Sequence, residues 1–167
     1  SNQATMTVYY APVLNSAYPK DTAVNEGSTA TFAVSISIAG NPANYTYQWY
    51  YAQPGASWTK WSGATSASAT TSAMPASWNK SKFKCTVSQS ASKTSGTYTN
   101  SVTSREATLT VYYAPTLNAS YPKDVTVNVG VSASFAVSIS TAGNPASYTY
   151  QWYINSKNAN SGGSAIS

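Results

Sequence analysis

One stretch of this chain occurs twice. Residues 4–50 read ATMTVYYAPVLNSAYPKDTAVNEGSTATFAVSISIAGNPANYTYQWY, and residues 107–153 read ATLTVYYAPTLNASYPKDVTVNVGVSASFAVSISTAGNPASYTYQWY. Roughly three-quarters of the aligned positions are identical, which chance does not produce over such a length. A period of about 100 residues is too long for a solenoid unit and matches one sandwich domain. The chain is therefore expected to hold one complete copy of a folding unit and part of another.

Within each copy the apolar residues alternate, as they do on strands with one buried face. In Thr29–Ser37, Ala30, Phe32, Val34 and Ile36 fall on one side and Thr31, Ala33, Ser35 and Ser37 on the other. Tyr45, Tyr47 and Trp49 share a face, and so do Phe83, Cys85 and Val87. The last buried set is Ala107, Leu109 and Val111. Turn chemistry separates these runs at Asn25-Glu26-Gly27, Gly40-Asn41-Pro42, Pro54-Gly55 and Ser95-Gly96. No helical periodicity competes. The expected fold class is all-β, a sandwich or barrel of short strands. The predicted core comprises Phe32, Val34, Trp49, Phe83, Cys85, Val87 and Leu109, with Phe135, Val137 and Trp152 as their counterparts in the second copy.

Composition supports this reading. Only 8% of residues are charged, so surface polarity comes from Ser, Thr, Asn and Gln, while 14 Tyr and 5 Trp suit a pleated surface. The net charge of +5 reflects scarce acids more than dense cations. A single Arg and no clustered basic stripe argue against nucleic acid. No apolar run is long enough for a membrane-spanning helix. Cys85 is the only cysteine, so no intrachain disulfide can form. The opening at Ser1 carries no signal segment and reads as the inside of a longer protein or a trimmed product.

The order of these elements resembles the immunoglobulin fold. The matching residues are Gly27, Phe32-x-Val34, Trp49, Phe83-x-Cys85-x-Val87 and the closing run Ala107-Thr108-Leu109-Thr110-Val111. More narrowly, the succession YQWYY, WTKWSGATSASATT, FKCTV, ATLTV resembles tandem immunoglobulin-like repeats of bacterial surface proteins and phage virion proteins. That resemblance implies an antiparallel sandwich in tandem repeat, located outside the cell on a cell or virion surface. Two positions depart from the family pattern. Val34 stands where the first cysteine of the inter-sheet disulfide belongs, and Phe83 stands where a tyrosine would supply a buried hydroxyl.

Each copy is expected to run directly into the next, because Tyr9-Tyr10-Ala11-Pro12 and Tyr112-Tyr113-Ala114-Pro115 contain no Gly/Ser linker, and Pro keeps the preceding residue extended. Cutting there gives residues 1–10 as the last strand of a preceding repeat, 11–113 as a complete domain, and 114–167 as strands A to C of another. That last piece would leave Phe135, Val137, Ile139 and Trp152 without an opposing sheet. Either it is a window onto a longer array, or a neighbouring chain completes it by strand addition.

Chemistry-bearing residues are sparse. There is no histidine, and the acids are Asp21, Glu26, Glu106 and Asp124, which form no convincing catalytic pair. Neither clustered carboxylates for calcium nor a cysteine set for zinc is present, so no catalytic activity, metal or cofactor is expected. Cys85 reads as a small buried apolar residue. The candidate partner surface is Trp58, Trp61 and Trp78, with Lys80, Lys82 and Lys84 alternating along one strand. Exposed aromatics stack on sugars or anchor protein interfaces, and a lysine stripe attracts anionic surfaces. The same tryptophans could equally close the end of the sandwich, and the same lysines could keep a sheet face solvated. Sequons at Asn44, Asn79 and Asn118 add no decision.

Four functions fit: a stiff spacer or fibre, a glycan- or host-binding adhesin or decoration module, a filament subunit joined by strand complementation, and an accessory region of a secreted enzyme. Expected partners are neighbouring repeats of the same or adjacent chains, and surface glycans.

Overall fold

The computed structural model describes residues 1–94, 96–156 and 162–166. Among these residues the chain is all-β with one short 3-10 turn, arranged in several sheets compatible with a β-sandwich. It divides into two compact units, residues 1–113 and 114–167.

Ten strands build the first unit: β1 (Val13–Leu14), β2 (Thr22–Asn25), β3 (Thr31–Ala33), β4 (Ile36–Ile38), β5 (Thr46–Ala52), β6 (Thr59–Lys60), β7 (Ser68–Thr70), β8 (Lys82–Lys93), β9 (Gly96–Thr103) and β10 (Ala107–Tyr112). The main sheet runs β2-β10-β8-β5-β6, with β9 also paired to β8. Its pairs are antiparallel except β10 with β2, which run parallel with Leu109 opposite Thr22 and Val111 opposite Val24. Two smaller pairs, β3 with β7 and β1 with β4, supply the remaining strands.

The sheets meet where alternation places apolar side chains. On β5 and β8, Trp49 lies opposite Cys85, Tyr51 opposite Phe83 and Tyr47 opposite Val87, so one face of both strands turns inward. Phe32 on β3 stacks on Phe83 with ring centroids 4.2 Å apart, joining the two layers. Phe32, Trp49, Phe83, Cys85, Val87 and Leu109 are all buried, together with Ala107, Val111 and Met74. The Trp49 indole does not forfeit its donor, because Nε1–H reaches the Ser66 carbonyl at 2.9 Å.

Several expectations need correction. The alternating run from Thr29 to Ser37 is not one strand. The Val34 amide donates to Ala67, whereas the Ser35 carbonyl accepts from Asn15 on the other side. The chain thus leaves the β7 edge and joins β1, and the strand breaks between β3 and β4. Val34, at this crossing, is half-buried against the core rather than enclosed by it. The sheet is also not wholly antiparallel, as the β10–β2 pair shows. Residues 1–9 hold no strand; they group with the first unit, and Tyr10 alone forms a bridge, to Asn41. At the Ser95-Gly96 turn, Gly96 adopts a left-handed φ of 123°, while Ser95 lies outside the described residues.

The second unit contains β11 (Thr116–Leu117), β12 (Ile139–Thr141), β13 (Trp152–Ile154) and β14 (Ser164–Ile166). Its local bonds repeat those of the first copy. Leu117 lies opposite Ile139 as Leu14 lies opposite Ile36, with a register shift beside each. The Gly143 amide donates to the Tyr148 hydroxyl at 3.0 Å, as Gly40 does to Tyr45 at 2.8 Å. The core does not repeat. Phe135 is 55% exposed, and Val137 and Trp152 are half-buried, so none of the three is a core residue among the described positions. The reason is that Phe32 is enclosed by Phe83 of β8 and Trp49, and the described residues of the second unit contain no counterpart of β8.

Candidate functional site

Two surfaces of the first unit gather the residues singled out by sequence, and a third gathers residues that were not. On the outer face of the main sheet, Lys84 lies opposite Tyr50 and holds its ammonium 3.9 Å above the ring of Trp58, which precedes β6. A cation at that distance over an indole is worth about 0.5–1 kcal/mol at an exposed site. Lys82 pairs with Glu106 at 2.9 Å, with both side chains about half exposed to solvent. Such a surface pair contributes about 0–1 kcal/mol. Trp58, Lys80, Lys82 and Glu106 line one shallow cleft beside the Pro54-Gly55 turn.

The three lysines do not form one stripe. Lys80 precedes β8, which begins at Lys82, and has a left-handed φ of 71°. Its amide donates to the Leu109 carbonyl at 2.8 Å, so the chain is turning toward β10 at this point rather than extending.

Trp61 and Trp78 lie on the opposite side from Trp58. Their rings sit 5.8 Å and 6.4 Å from the buried ring of Phe83, and Trp78 also meets Tyr51 at 5.1 Å. The 3-10 turn Ala76–Trp78 delivers Trp78 to this place. With Met74 and Pro75 these aromatics line an apolar cleft at the end of the sandwich. Trp58 and Trp61 therefore do not share a surface. Only Thr59 and Lys60 separate them along the chain, and the β6 hairpin puts one on the Lys84 face and the other on the Phe83 face.

The third cluster lies where the chain enters the domain. The amides and carbonyls of Tyr10 and Asn41 exchange hydrogen bonds at 3.1 Å and 3.0 Å. Gln89, buried on β8, donates from Nε2 to the Tyr10 carbonyl at 2.6 Å. Asn41 Nδ2 donates to the Val8 carbonyl at 2.6 Å, and the Tyr9 ring stacks on Tyr98 of β9 at 5.1 Å. Gly40 makes this approach possible. A Cβ there would stand 2.7 Å from the Pro12 nitrogen and 2.8 Å from the Tyr10 carbonyl oxygen, both backbone atoms that cannot swing aside. Sequence reasoning read Gly40-Asn41-Pro42 as an ordinary turn and passed over Gln89. The available signals were the recurrence of Gly-Asn-Pro at 143–145 and a lone Gln at an inward position of β8.

Among the described residues, Asp21, Glu26 and Glu106 have structural partners. Asp21 Oδ1 accepts from the Thr108 amide at 2.9 Å and from Arg105 at 3.3 Å. Glu26 accepts from the Ala76 amide, and Glu106 holds Lys82. Among the described residues, no three of His, Cys, Asp and Glu gather into a metal-binding group. Burial pushes the Cys85 thiol up to about 11, opposed only by a backbone hydrogen bond from Gln48. No helix among the described residues is long and apolar enough to cross a membrane. No family model matches the chain, and no curated protein matches it either.

Proposed function

We propose that this chain is a non-catalytic structural module, a spacer built from immunoglobulin-like repeats that holds another part of a surface protein away from a cell or virion. The observation that carries this reading is the grip on Tyr10. The domain takes hold of the segment that leads into it through a two-way backbone bridge, a buried Gln89 and a stacked tyrosine. The junction sequence Tyr-Tyr-Ala-Pro and the Gly-Asn-Pro that receives it both recur in the second copy. A module whose task was independent motion would be joined by flexible Gly/Ser segments instead. Its partners on this reading are further repeats of the same kind, and it requires no cofactor.

The adhesin reading draws less support. Lys84 already covers one face of Trp58, and Trp61 and Trp78 rest on Phe83. Small-angle scattering on a chain of four repeats tests the proposal. A spacer gives a maximum dimension that grows linearly with repeat number, whereas compact or broadly distributed dimensions contradict it.

A further inference from the structure

Strand β9 forms an open edge of the main sheet. Among the described residues it pairs with β8 alone. The two strands that could have lain beside it are committed elsewhere, because β2 pairs with β10 at Leu109–Tyr112 and β1 crosses to β4. One bond decides which backbone groups the edge presents. The Ser104 amide donates to the Cys85 carbonyl at 2.9 Å, continuing the register that sets Thr86 opposite Thr103. Bonds alternate along an antiparallel ladder. Tyr98, Asn100 and Val102 therefore bond to β8, while Thr97, Thr99, Ser101 and Thr103 turn their amides and carbonyls to the open side.

Those four residues are exposed, and the strand, GTYTNSVT, holds no charge and no proline. Sheet edges are ordinarily guarded by charge, proline or brevity. The other edge strands of this sheet are: β2 has four residues and follows Lys20 and Asp21, and β6 has two and carries Lys60. With eight residues, β9 is long and unguarded.

We propose that the β9 strands of two copies of this chain pair antiparallel about a twofold axis at Asn100, joining two main sheets into one. Thr97 then faces Thr103 of the second copy, and Thr99 faces Ser101. This is the one register that pairs all four edge residues of each strand with those of the other. On the outer face it sets hydroxyl against hydroxyl, as β8 and β9 already do at Thr86–Thr103, 3.1 Å, and Ser88–Ser101, 2.8 Å. A hydroxyl carries one donor and two lone pairs, so Ser101 and Thr103 can serve both neighbours. On the inner face the register sets half-buried Tyr98 against Val102, an aromatic against a β-branched residue. This self-complementarity selects a second copy as the occupant. The contact is isologous, so it closes at the dimer. It goes beyond the spacer reading and does not require the array to be stiff.

Single cysteines in the full chain read the register. Asn100→Cys places a thiol on the twofold axis against its own copy, within the reach of a disulfide, and is expected to give a linked dimer. Thr97→Cys is expected to give several-fold less, because its two copies would stand about 20 Å apart along the strands. Cys85 is buried, so background crosslinking is small. Thr99→Pro removes an amide that faces the open edge and spares the bonds to β8, a place where an edge strand admits proline. It is expected to weaken dimerisation, measured by sedimentation, by about tenfold or more while the chain still unfolds cooperatively. A monomer at concentrations of about 100 μM, dimerisation unchanged by Thr99→Pro, or equal crosslinking of Asn100→Cys and Thr97→Cys would overturn the proposal. A flexible array in scattering would leave it standing, so the two proposals fail separately.

Discussion

Trp49 lies directly across from Cys85 on the adjacent strands β5 and β8, and both side chains are fully buried. The tryptophan thus packs against a lone thiol in an apolar interior. Phe32 and Phe83 complete the cluster, and the Trp49 indole is tied to Ser66.

That environment sets the chemistry of Cys85. Burial holds its thiol at about 11, against 9.0 for a free one, because the thiolate would lose its hydration. A thiol reagent at pH 8 is expected to leave the folded protein unmodified and to label it fully in denaturant. The folded pKa is raised, so the neutral thiol's contribution to stability is fully present below pH 9. It is lost as pH rises from about 9 to about 11. Denaturant titrations across that window check the slope; rapid labelling of the native protein at pH 8 contradicts the burial.

Trp58 and Trp61 are expected to respond unequally to truncation. Trp58→Ala removes an outer cation–π contact with Lys84 and costs about 0.5–1 kcal/mol. Trp61→Ala strips a ring from buried Phe83 and opens the apolar cleft, costing about 2–4 kcal/mol. Chemical denaturation of the two variants separates these magnitudes, and equal costs would contradict their assignment to opposite faces of the sheet.

Gly40→Ala tests the entry clamp. The added methyl would overlap the Pro12 nitrogen, the Tyr10 carbonyl and Gln89 Oε1. Backbone must shift to admit it, at a cost of about 1–3 kcal/mol. The distant core pair Trp49 and Cys85 should remain buried. Faster proteolytic cleavage after Tyr9 or Tyr10, with the remainder of residues 11–113 still resistant, is the expected outcome.

Much of the interior was legible because β5, β8 and β10 alternate strictly, and a period of two fixes which side chains turn inward. The same rule misled at Val34, where alternation continues through a change of hydrogen-bonding partner that leaves no mark on the pattern. Lys80 was misplaced for a related reason. Spacing by two suggested a strand, while a left-handed backbone and a bond to Leu109 put it in a turn. Sequence could not divide the tryptophans between faces, since that depends on how β6 folds against β5. The grip on Tyr10 was hidden as well, because it joins residues some 30 and 80 positions apart, and the pairing of distant positions is not written in local periodicity.

Amide hydrogen exchange on the 167-residue chain, read residue by residue, tests the clamped entry most directly. The account predicts that the Tyr10 and Asn41 amides exchange about 100-fold or more slowly than unstructured peptide, while residues 2–7 exchange freely at concentrations where the chain is monomeric. Exchange of Tyr10 at the unprotected rate, with β5 and β8 still protected, would show a domain that does not hold the segment leading into it.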